Sequence, residues 1–363
     1  MHADTPYDDL TPDLILDALE ACGQRADGRL LALNSYENRV FQVGLDSGHM
    51  VVAKFYRPGR WTDEQILEEH AFALELAEAE VPAVPPMALT HHVPDAARIS
   101  GTPPTLGHFG QHRIAVAHRR GGRPPELEDP EVLRWIGRFL ARLHQVGASR
   151  PFAHRLRLDI DTLGWQAHQW LAEHDIIPLD QRSAWLDTAR QALELVEAAF
   201  ARIDGLRWLR VHGDCHPGNV LWTPQGPHFV DLDDAGMGPA VQDLWMLVSG
   251  EPEERRRQLD ALLDGYESIA EFDWRELQLI EPLRTLRLIH HSGWLARRWN
   301  DPAFPAAFPW FESGSYWQQQ RDQLRQQIDL MITEAPDHAS RLGIASWGKQ
   351  DDGDADADLN WDR

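Results

Sequence analysis

The chain has 363 residues, 43% hydrophobic and 25% charged, a composition typical of a soluble globular protein with about two domains. Its 57 acidic residues against 35 basic ones give a net charge of −22, so we expect it to bind neither nucleic acid nor anionic membrane nonspecifically. Two cysteines and an N-terminus without a signal-peptide pattern predict a cytoplasmic protein.

The first third of the sequence predicts a small β-rich lobe. Thr11-Pro12-Asp13 begins a capped helix that Gly23 ends, and a capping box at residues 62–65 begins a second helix, which extends to about residue 79. Alternating apolar residues and turn signals predict strands at 29–33, 39–45, 49–56 and 112–117. We therefore assign residues 1–117 to this lobe and residues 118–124, rich in glycine and proline, to a hinge.

The remainder of the chain is predicted to be mostly helical, with a short β-rich segment at 209–231. Helical spacing of apolar residues occurs at 130–146, 163–173, 181–203, 258–266, 276–299 and 316–332. Residues 125–340 are therefore expected to form a larger lobe. The acidic segment 341–363 is predicted to be a disordered tail.

Lysine is nearly absent from the chain, and one lysine lies in an apolar strand. Of the 35 basic residues only Lys54 and Lys349 are lysine; Lys349 belongs to the acidic tail, whereas Lys54 follows Val51-Val52-Ala53. Lysine presents a compact point charge and arginine a planar fork, so the two are not interchangeable. We expect Lys54 to be kept because it binds nucleotide phosphates.

The segment with the most chemical information is VHGDCHPGNVLW, residues 211–222. It places Asp214 and Asn219 in one loop, and Asp231 follows at the end of an apolar strand. Phosphoryl transfer needs metal ligands, a cation on the phosphates and a group that accepts or orients the attacking hydroxyl. Asp214 can accept a proton, and Asn219 and Asp231 can offer the hard oxygen atoms that Mg²⁺ prefers.

The pattern His-Gly-Asp-x-His-x-x-Asn, followed by an aspartate at a strand end, resembles the kinase-like phosphotransferases of the aminoglycoside and choline kinase type. Within that superfamily, the runs 35–40, 54–61 and 211–222 resemble the bacterial stress response kinase A family. The resemblance implies an α+β, two-lobed protein-kinase-like fold. It also implies a cytoplasmic Ser/Thr protein kinase that uses ATP and Mg²⁺ and acts in envelope and oxidative stress, and we expect a monomer.

The resemblance also implies roles for individual residues. Asp214 matches the catalytic proton acceptor, and Asn219 and Asp231 match the Mg²⁺ ligands. Lys54 matches the strand lysine that holds the nucleotide, and Ser35 matches the serine of the nucleotide loop.

The resemblance further implies a helical glutamate beside Lys54. Glu68 and Glu69 both fit, and Glu69 is preferred because the residues after it fit the helix pattern of the family. Asp243 is expected to brace the catalytic loop.

The sequence departs from protein kinases in two places. The loop after the first strand has no Gly-x-Gly-x-x-Gly, and no long activation segment fits between Asp231 and Asp243. Three alternatives stay open: a small-molecule kinase for a hydroxylated amine or sugar, a weakly catalytic nucleotide-binding scaffold, and a metal hydrolase built on His212, Asp214 and His216. A cation cage formed by C-terminal tryptophans is weighed against simple core packing.

Overall fold

A computed structural model describes residues 6–90 and 104–333, which form two compact units. The first unit contains Met1–Arg123, Phe152–Arg155 and Leu221–Asp233; the second contains Pro124–Pro151, Leu156–Val220 and Asp234–Arg363. The predicted acidic tail, Lys349 included, lies outside the described residues.

The first unit is built on a five-stranded antiparallel sheet in the order β1-β2-β3-β5-β4. Its strands are β1 (Ala26–Leu33), β2 (Arg39–Leu45), β3 (Met50–Phe55), β4 (Gly107–Phe109) and β5 (His112–His118). Two helices accompany the sheet, α1 (Pro12–Ala21) and α2 (Asp63–Glu78). The predicted capping box begins α2: Thr62 accepts from the backbone N–H of Gln65, whose side chain accepts from the backbone N–H of Thr62.

The register of β3 determines where Lys54 lies. Lys54 is opposite Val40 on β2 and Ala115 on β5. Because side chains alternate across a strand, its neighbours Ala53 and Phe55 point into the core of the unit, where both are fully buried. Lys54 is consequently directed to the other face of the sheet.

The second unit is mainly helical. Its helices are α3 (Pro130–Gly147), α4 (Gln166–Glu173), α5 (Leu179–Ala201), α6 (Gln242–Trp245), α7 (Pro252–Glu267), α8 (Ile280–Arg297), α9 (Ala303–Ala307) and α10 (Gly314–Thr333). Helices α3 and α7 approach so closely that a Cβ atom added to Gly137 would lie 2.0 Å from the carbonyl oxygen of Leu262. The strands β6 (Leu209–Val211) and β9 (Gly236–Gly238) pair antiparallel in this unit.

A second short pair joins β7 (Val220–Thr223) to β8 (Gly226–Phe229). The residues between β6 and β7 form the loop that contains Asp214 and Asn219, and Asp231 follows β8. The β-rich segment predicted at 209–231 therefore contains the candidate catalytic residues, which lie in its loops and after its last strand.

The predicted α+β architecture, with a β-rich unit and a larger helical unit, is confirmed, and differences from the sequence prediction are local. The strands β4 and β9 were not predicted, because three residues are too few to show alternation. Residues Ile160–Trp165, the start of a predicted helix, form a π-helical segment. Within the two described ranges, no helix combines the length and the apolar content needed to span a bilayer.

Candidate active site

The backbone of the loop after β6 is fixed by the buried carboxylate of Asp243. Its Oδ2 accepts the backbone N–H of His212 at 2.7 Å, and its Oδ1 accepts that of Gly213 at 2.8 Å. The Nε2 atom of His144 lies 3.0 Å from Oδ2, and Tyr266 in turn contacts the other ring nitrogen at 3.0 Å. The predicted bracing role of Asp243 is confirmed by these contacts.

Gly213 has a conformation and an environment that favour glycine. Its φ is +85°, and an added Cβ would lie 2.2 Å from the carbonyl oxygen of Asp234. A side chain would therefore combine backbone strain with a backbone clash. The next residue, Asp214, takes its position from this turn.

The carboxylate of Asp214 is paired with an arginine that the sequence did not reveal. Arg287, on α8, donates from Nη1 to Oδ1 of Asp214 at 2.7 Å. Burial alone would raise the pKa of Asp214, but Arg287 and the nearby His216 offset it and lower that pKa below its ordinary value. Asp214 is thus kept ionised at neutral pH, as a proton acceptor must be.

Asn219 belongs to the same loop and ends a short 3₁₀ turn, Pro217–Asn219. Its Nδ2 donates to the carbonyl oxygen of Asp214 at 2.9 Å, which orients the amide so that Oδ1 is turned away from that carbonyl. His216 caps the turn, since its Nδ1 accepts the backbone N–H of Gly218 at 3.1 Å. His216 therefore has a local structural role.

In the first unit, Lys54 contacts two carboxylates that follow β8. Its Nζ lies 2.7 Å from Oδ1 of Asp231 and 3.7 Å from Oδ1 of Asp233. Burial would lower the pKa of Lys54, but the two carboxylates more than offset burial and raise it well above its ordinary value. The lysine is thus a permanent cation beside Asp231, and the roles predicted for both residues stay predictions.

Asp231 has a backbone conformation that is uncommon for a residue other than glycine. Its φ is +59°, in the left-handed region. Such a conformation costs of order 1 kcal/mol and is often found at functional sites. The side chain of Asp231 is 50% exposed, which leaves its carboxylate accessible.

Asp233 is the buried centre of the first unit's charged cluster. Its Oδ2 accepts from Nδ2 of Asn38 at 3.1 Å and from Arg60, and its backbone carbonyl accepts from Arg155. Burial would raise the pKa of Asp233, but Arg60, Lys54 and Arg155 together hold it below its ordinary value. Asp233 therefore does not face solvent.

The loop between β1 and β2 is tied to this cluster through Asn38. While Nδ2 of Asn38 donates to Asp233, its Oδ1 accepts the backbone N–H of Arg57 at 3.1 Å. Ser35, three residues earlier in the same loop, is half-buried. The predicted nucleotide loop, which has no Gly-x-Gly-x-x-Gly, is thus held by a buried asparagine. The roles of this loop and of Ser35 in binding a nucleotide stay predictions.

The two candidate glutamates of α2 have different environments. Glu68 accepts the backbone N–H groups of Ala153, His154 and Arg155 at 2.6, 2.7 and 2.9 Å, so its carboxylate fixes that segment. Glu69 is buried, and burial, opposed by Lys54 and Arg155, raises its pKa to about 7. The nearest partner of Lys54 is Asp231, and the pairing of Lys54 with Glu69 stays a prediction.

The side chains predicted as metal ligands offer donor atoms of the kind that a hard divalent cation accepts. In the first unit, Oδ1 of Asp233 is buried without a hydrogen bond and Asp231 exposes its carboxylate. In the second unit, the amide of Asn219 is oriented by its own donor group. Carboxylate and amide oxygens are the ligands that Mg²⁺ accepts. In the part of the chain that the structure describes, no group of three or more His, Cys, Asp and Glu residues is placed to hold a metal ion.

Cys215 and the C-terminal tryptophans have structural roles. Burial, with Asp243 and Asp214 nearby, raises the pKa of the Cys215 thiol well above its ordinary value, which disfavours the reactive thiolate.

Trp317 is fully buried and packs against Trp185, with ring centroids 5.4 Å apart. Arg298 and His291 already lie against Trp294, at 5.3 and 5.6 Å from its ring, so core packing explains this region better than a cage for a cationic ligand.

Sequence reasoning missed Arg60, Arg155 and Arg287. Each is far in sequence from the aspartate that it contacts, which Arg60 and Arg287 meet at the carboxylate and Arg155 at the backbone carbonyl. Arginine is so common in this chain that no single one is conspicuous. Only the tertiary structure identifies them.

Comparisons with known proteins identify relatives of this chain. Residues 29–280 match the model of a family described as the phosphotransferase enzyme family. The chain is 43% identical over 325 residues to stress response kinase A of Salmonella choleraesuis, covering 90% of this chain and 94% of that protein. It is 42% identical, with the same coverage, to serine/threonine protein kinase RdoA of Salmonella typhimurium.

A solved structure has the same fold. The amicoumacin kinase hAmiN, in complex with AMP-PNP, Ca²⁺ and Ami, superposes with a TM-score of 0.64 at 18% identity. The match covers 86% of this chain and 93% of the other. At this identity the likeness concerns the fold alone.

Proposed function

The chain belongs to the phosphotransferase enzyme family, and we propose that it transfers the γ-phosphate of ATP to a Ser or Thr hydroxyl of a protein. The observation that carries the proposal is the similarity, over nine-tenths of the chain, to a relative named as a serine/threonine protein kinase. The ionised state of Asp214 and the permanent cation at Lys54 support it. The names of the relatives suggest a role in a bacterial stress response.

Each residue has a distinct part in the proposed reaction. Asp214 accepts the proton of the hydroxyl as its oxygen forms a bond to the γ-phosphorus and the bond from that phosphorus to the leaving ADP oxygen breaks. Lys54 binds phosphate oxygens, and Ser35 offers a hydroxyl to them. The adenine would lie against residues 116–122.

Asn219 and Asp231 are the proposed ligands of a Mg²⁺ ion, and Asp233 shares Lys54 with Asp231. When bound, the metal neutralises charge on the phosphates. Asp233 keeps Lys54 and Asp231 in place through its contacts with Asn38 and Arg60.

The proposal is tested with Asp214→Asn in an assay that follows radiolabelled γ-phosphate into a generic protein acceptor. Removal of a general base lowers turnover by about 10²–10⁴-fold, and we expect a loss in that range with ATP binding retained. Asp322→Asn, a change at an exposed carboxylate on α10, is the control and should leave turnover unchanged. Wild-type turnover by Asp214→Asn would overturn the assignment.

The alternative function, a small-molecule kinase, makes a different prediction about which acceptor is phosphorylated. If the acceptor is a hydroxylated amine or sugar, the wild-type enzyme should phosphorylate such compounds in preference to protein acceptors. A screen of both acceptor classes, with Asp214→Asn as the blank, distinguishes the two functions.

A further inference from the structure

Gly213, the residue before the proposed proton acceptor, is held at both of its backbone polar groups by two adjacent side chains of α6. Its N–H donates to Oδ1 of Asp243 at 2.8 Å, and its carbonyl oxygen accepts from Nε2 of Gln242 at 2.8 Å. Both side chains are buried, so water does not compete for these hydrogen bonds. The carbonyl belongs to the planar peptide unit that leads into Asp214, and Gln242 therefore fixes the plane from which the side chain of Asp214 begins.

The amide of Gln242 has one orientation that uses both of its polar atoms. While Nε2 donates to Gly213, Oε1 accepts from Nε1 of Trp245 at 3.4 Å. A rotated amide would place an oxygen against the carbonyl oxygen of Gly213 and a nitrogen against the indole N–H, and both contacts would be repulsive. Trp245 thus keeps the donor atom of Gln242 directed at the loop.

Contacts from other parts of the second unit hold α6 in place. Oε2 of Glu276 accepts the backbone N–H of Val241, the residue before the helix, at 2.9 Å. Asp243, within the helix, is itself held by His144. A helix of four residues has too few internal hydrogen bonds to be stable alone. These side chains therefore determine where α6 lies, and α6 offers Gln242 to the loop from a fixed position.

Met246, directly after α6, connects Gln242 to the other partner of Asp214. Its Sδ lies 3.8 Å from Nε2 of Gln242 and 4.0 Å from Nη1 of Arg287. That same Nη1 donates to Oδ1 of Asp214 at 2.7 Å. The thioether is a weak hydrogen-bond acceptor and packs as an adaptable apolar group. Gln242 is consequently linked both to the backbone contact and to the carboxylate contact that determine where Asp214 lies.

We propose that Gln242 is a positioning residue for the proton acceptor: through the carbonyl of Gly213 it fixes the peptide unit that orients Asp214 towards the hydroxyl of the acceptor. This inference rests on the proposed function and adds a residue that the reaction depends on. Asp243 holds the loop by accepting N–H groups and Gln242 supplies the matching donor, so neither side chain can replace the other. A general base must lie within hydrogen-bond reach of the proton that it takes, and a misplacement of about 1 Å can lower turnover by about 10²-fold.

The first test removes the donor while keeping the size of the side chain. Gln242→Met leaves the carbonyl oxygen of Gly213 without this partner. We expect kcat to fall by about 10–100-fold while KM for ATP stays at the wild-type value, because the loop holds the proton acceptor and the proposed phosphate-binding lysine belongs to the first unit.

Gln327→Met is the matched control, because Gln327 is also a buried glutamine of the second unit. Thr285, which donates to Gln327 at 3.2 Å, keeps the carbonyl oxygen of Glu281 as a second acceptor at 2.8 Å. Both variants lose a buried hydrogen bond, so urea denaturation should show similar losses of stability. Only Gln242→Met should lower kcat.

The second test restores the donor by protonation. In Gln242→Glu a protonated carboxyl group can donate to Gly213, whereas an ionised one cannot and repels the carbonyl oxygen. We expect the ratio of variant kcat to wild-type kcat to be highest at low pH and to fall by about 10-fold between about pH 6 and about pH 9, since burial raises the pKa of a carboxyl group. Every other titratable group, Asp214, Asp243 and Glu276 included, is common to both proteins, so the ratio removes its contribution.

Three results would overturn the proposal. The first is wild-type kcat in Gln242→Met, and the second is an equal loss of kcat in Gln242→Met and Gln327→Met. The third is a ratio for Gln242→Glu that does not change with pH. If Gln242→Met does not fold, the pH profile of Gln242→Glu decides alone.

Failure of this inference can be distinguished from failure of the proposed function. If the wild-type enzyme phosphorylates a protein acceptor and the Gln242 variants do so equally well, only the positioning role is wrong. If it phosphorylates a hydroxylated amine and no protein, the acceptor class is wrong, and the same variants test the positioning role on that amine. If the wild-type enzyme transfers phosphate to neither, both proposals are wrong.

Discussion

The charged cluster around Lys54 and the loop around Asp214 are stabilised in different ways. The cluster brings several buried or half-buried charges together, with Lys54 between the carboxylates of Asp231 and Asp233. The loop is instead fixed through its backbone, because Asp243 accepts two successive N–H groups and is itself held by His144.

The difference follows from the role that we propose for each region. A cation that binds phosphates has to stay charged, and the carboxylates of Asp231 and Asp233 raise the pKa of Lys54 and so keep it charged. A proton acceptor has to be placed accurately, and backbone hydrogen bonds in a buried environment provide that accuracy, while Arg287 keeps the carboxylate of Asp214 ionised. Substitutions that change charge, and changes of pH, should therefore affect the cluster most. The loop should be affected most by a substitution that removes a hydrogen-bond acceptor.

The largest expected effect is on the loop. Asp243→Ala leaves two buried N–H groups and the ring of His144 without their acceptor, and each lost partner costs about 1–3 kcal/mol. We expect the free energy of unfolding to fall by roughly 3–5 kcal/mol, measured by urea denaturation. Asp322→Ala, at a half-exposed surface pair, is the control and should change it little. A loss no larger than that of the control would contradict the bracing role.

The second prediction concerns the buried carboxyl group of Glu69, beside the charged cluster. Burial raises the pKa of Glu69 from 4.5 to about 7, so between these pH values the folded protein keeps a proton that the unfolded chain releases. Stability contributed by protonated Glu69 is therefore lost as the pH rises from 4.5 to 7.

Glu69→Gln removes this loss. Relative to the wild-type protein, we expect the variant to gain about 3 kcal/mol in unfolding free energy between pH 4 and pH 8. Urea denaturation of both proteins across this range measures the difference, and every other titrating group is common to the two. If the unfolding free energies of the two proteins changed in parallel with pH, Glu69 would not be buried in its protonated form.

The smallest expected effect is the most specific test of the cluster. Lys54→Arg keeps the positive charge beside Asp231 and Asp233 but replaces the point charge with a fork. We expect kcat/KM for ATP to fall by about 100-fold, equal to about 2.7 kcal/mol, while the urea midpoint stays near the wild-type value. Lys54→Met, which leaves the carboxylates without this cation, should in contrast lower the midpoint. Wild-type turnover by Lys54→Arg would refute the assignment of the lysine.

Part of the site could be predicted because its signals are local in sequence. Asp214, Asn219 and Asp231 lie within eighteen consecutive residues, and the turn and strand signals around them place all three at the ends of short strands. Lys54 was conspicuous because lysine is so rare in this chain. The fold class followed from the periodicity of strands and helices together with the family resemblance.

The rest depends on contacts between residues that are distant in sequence. Arg287 meets Asp214 across 73 residues, and Asn38 meets Asp233 across 195. No local pattern marks either pair, because an arginine on an amphipathic helix and an asparagine in a loop are ordinary surface residues until the chain folds.

The sequence by itself therefore determined which chemical groups the protein possesses and in which order they occur. The tertiary structure alone decided their charge states and partners: which carboxylate Lys54 contacts, which glutamate is buried, and which arginine holds Asp214. The physical reason is that ionisation and hydrogen bonding depend on burial and on neighbours in space, and neither quantity is encoded by residues adjacent in the chain.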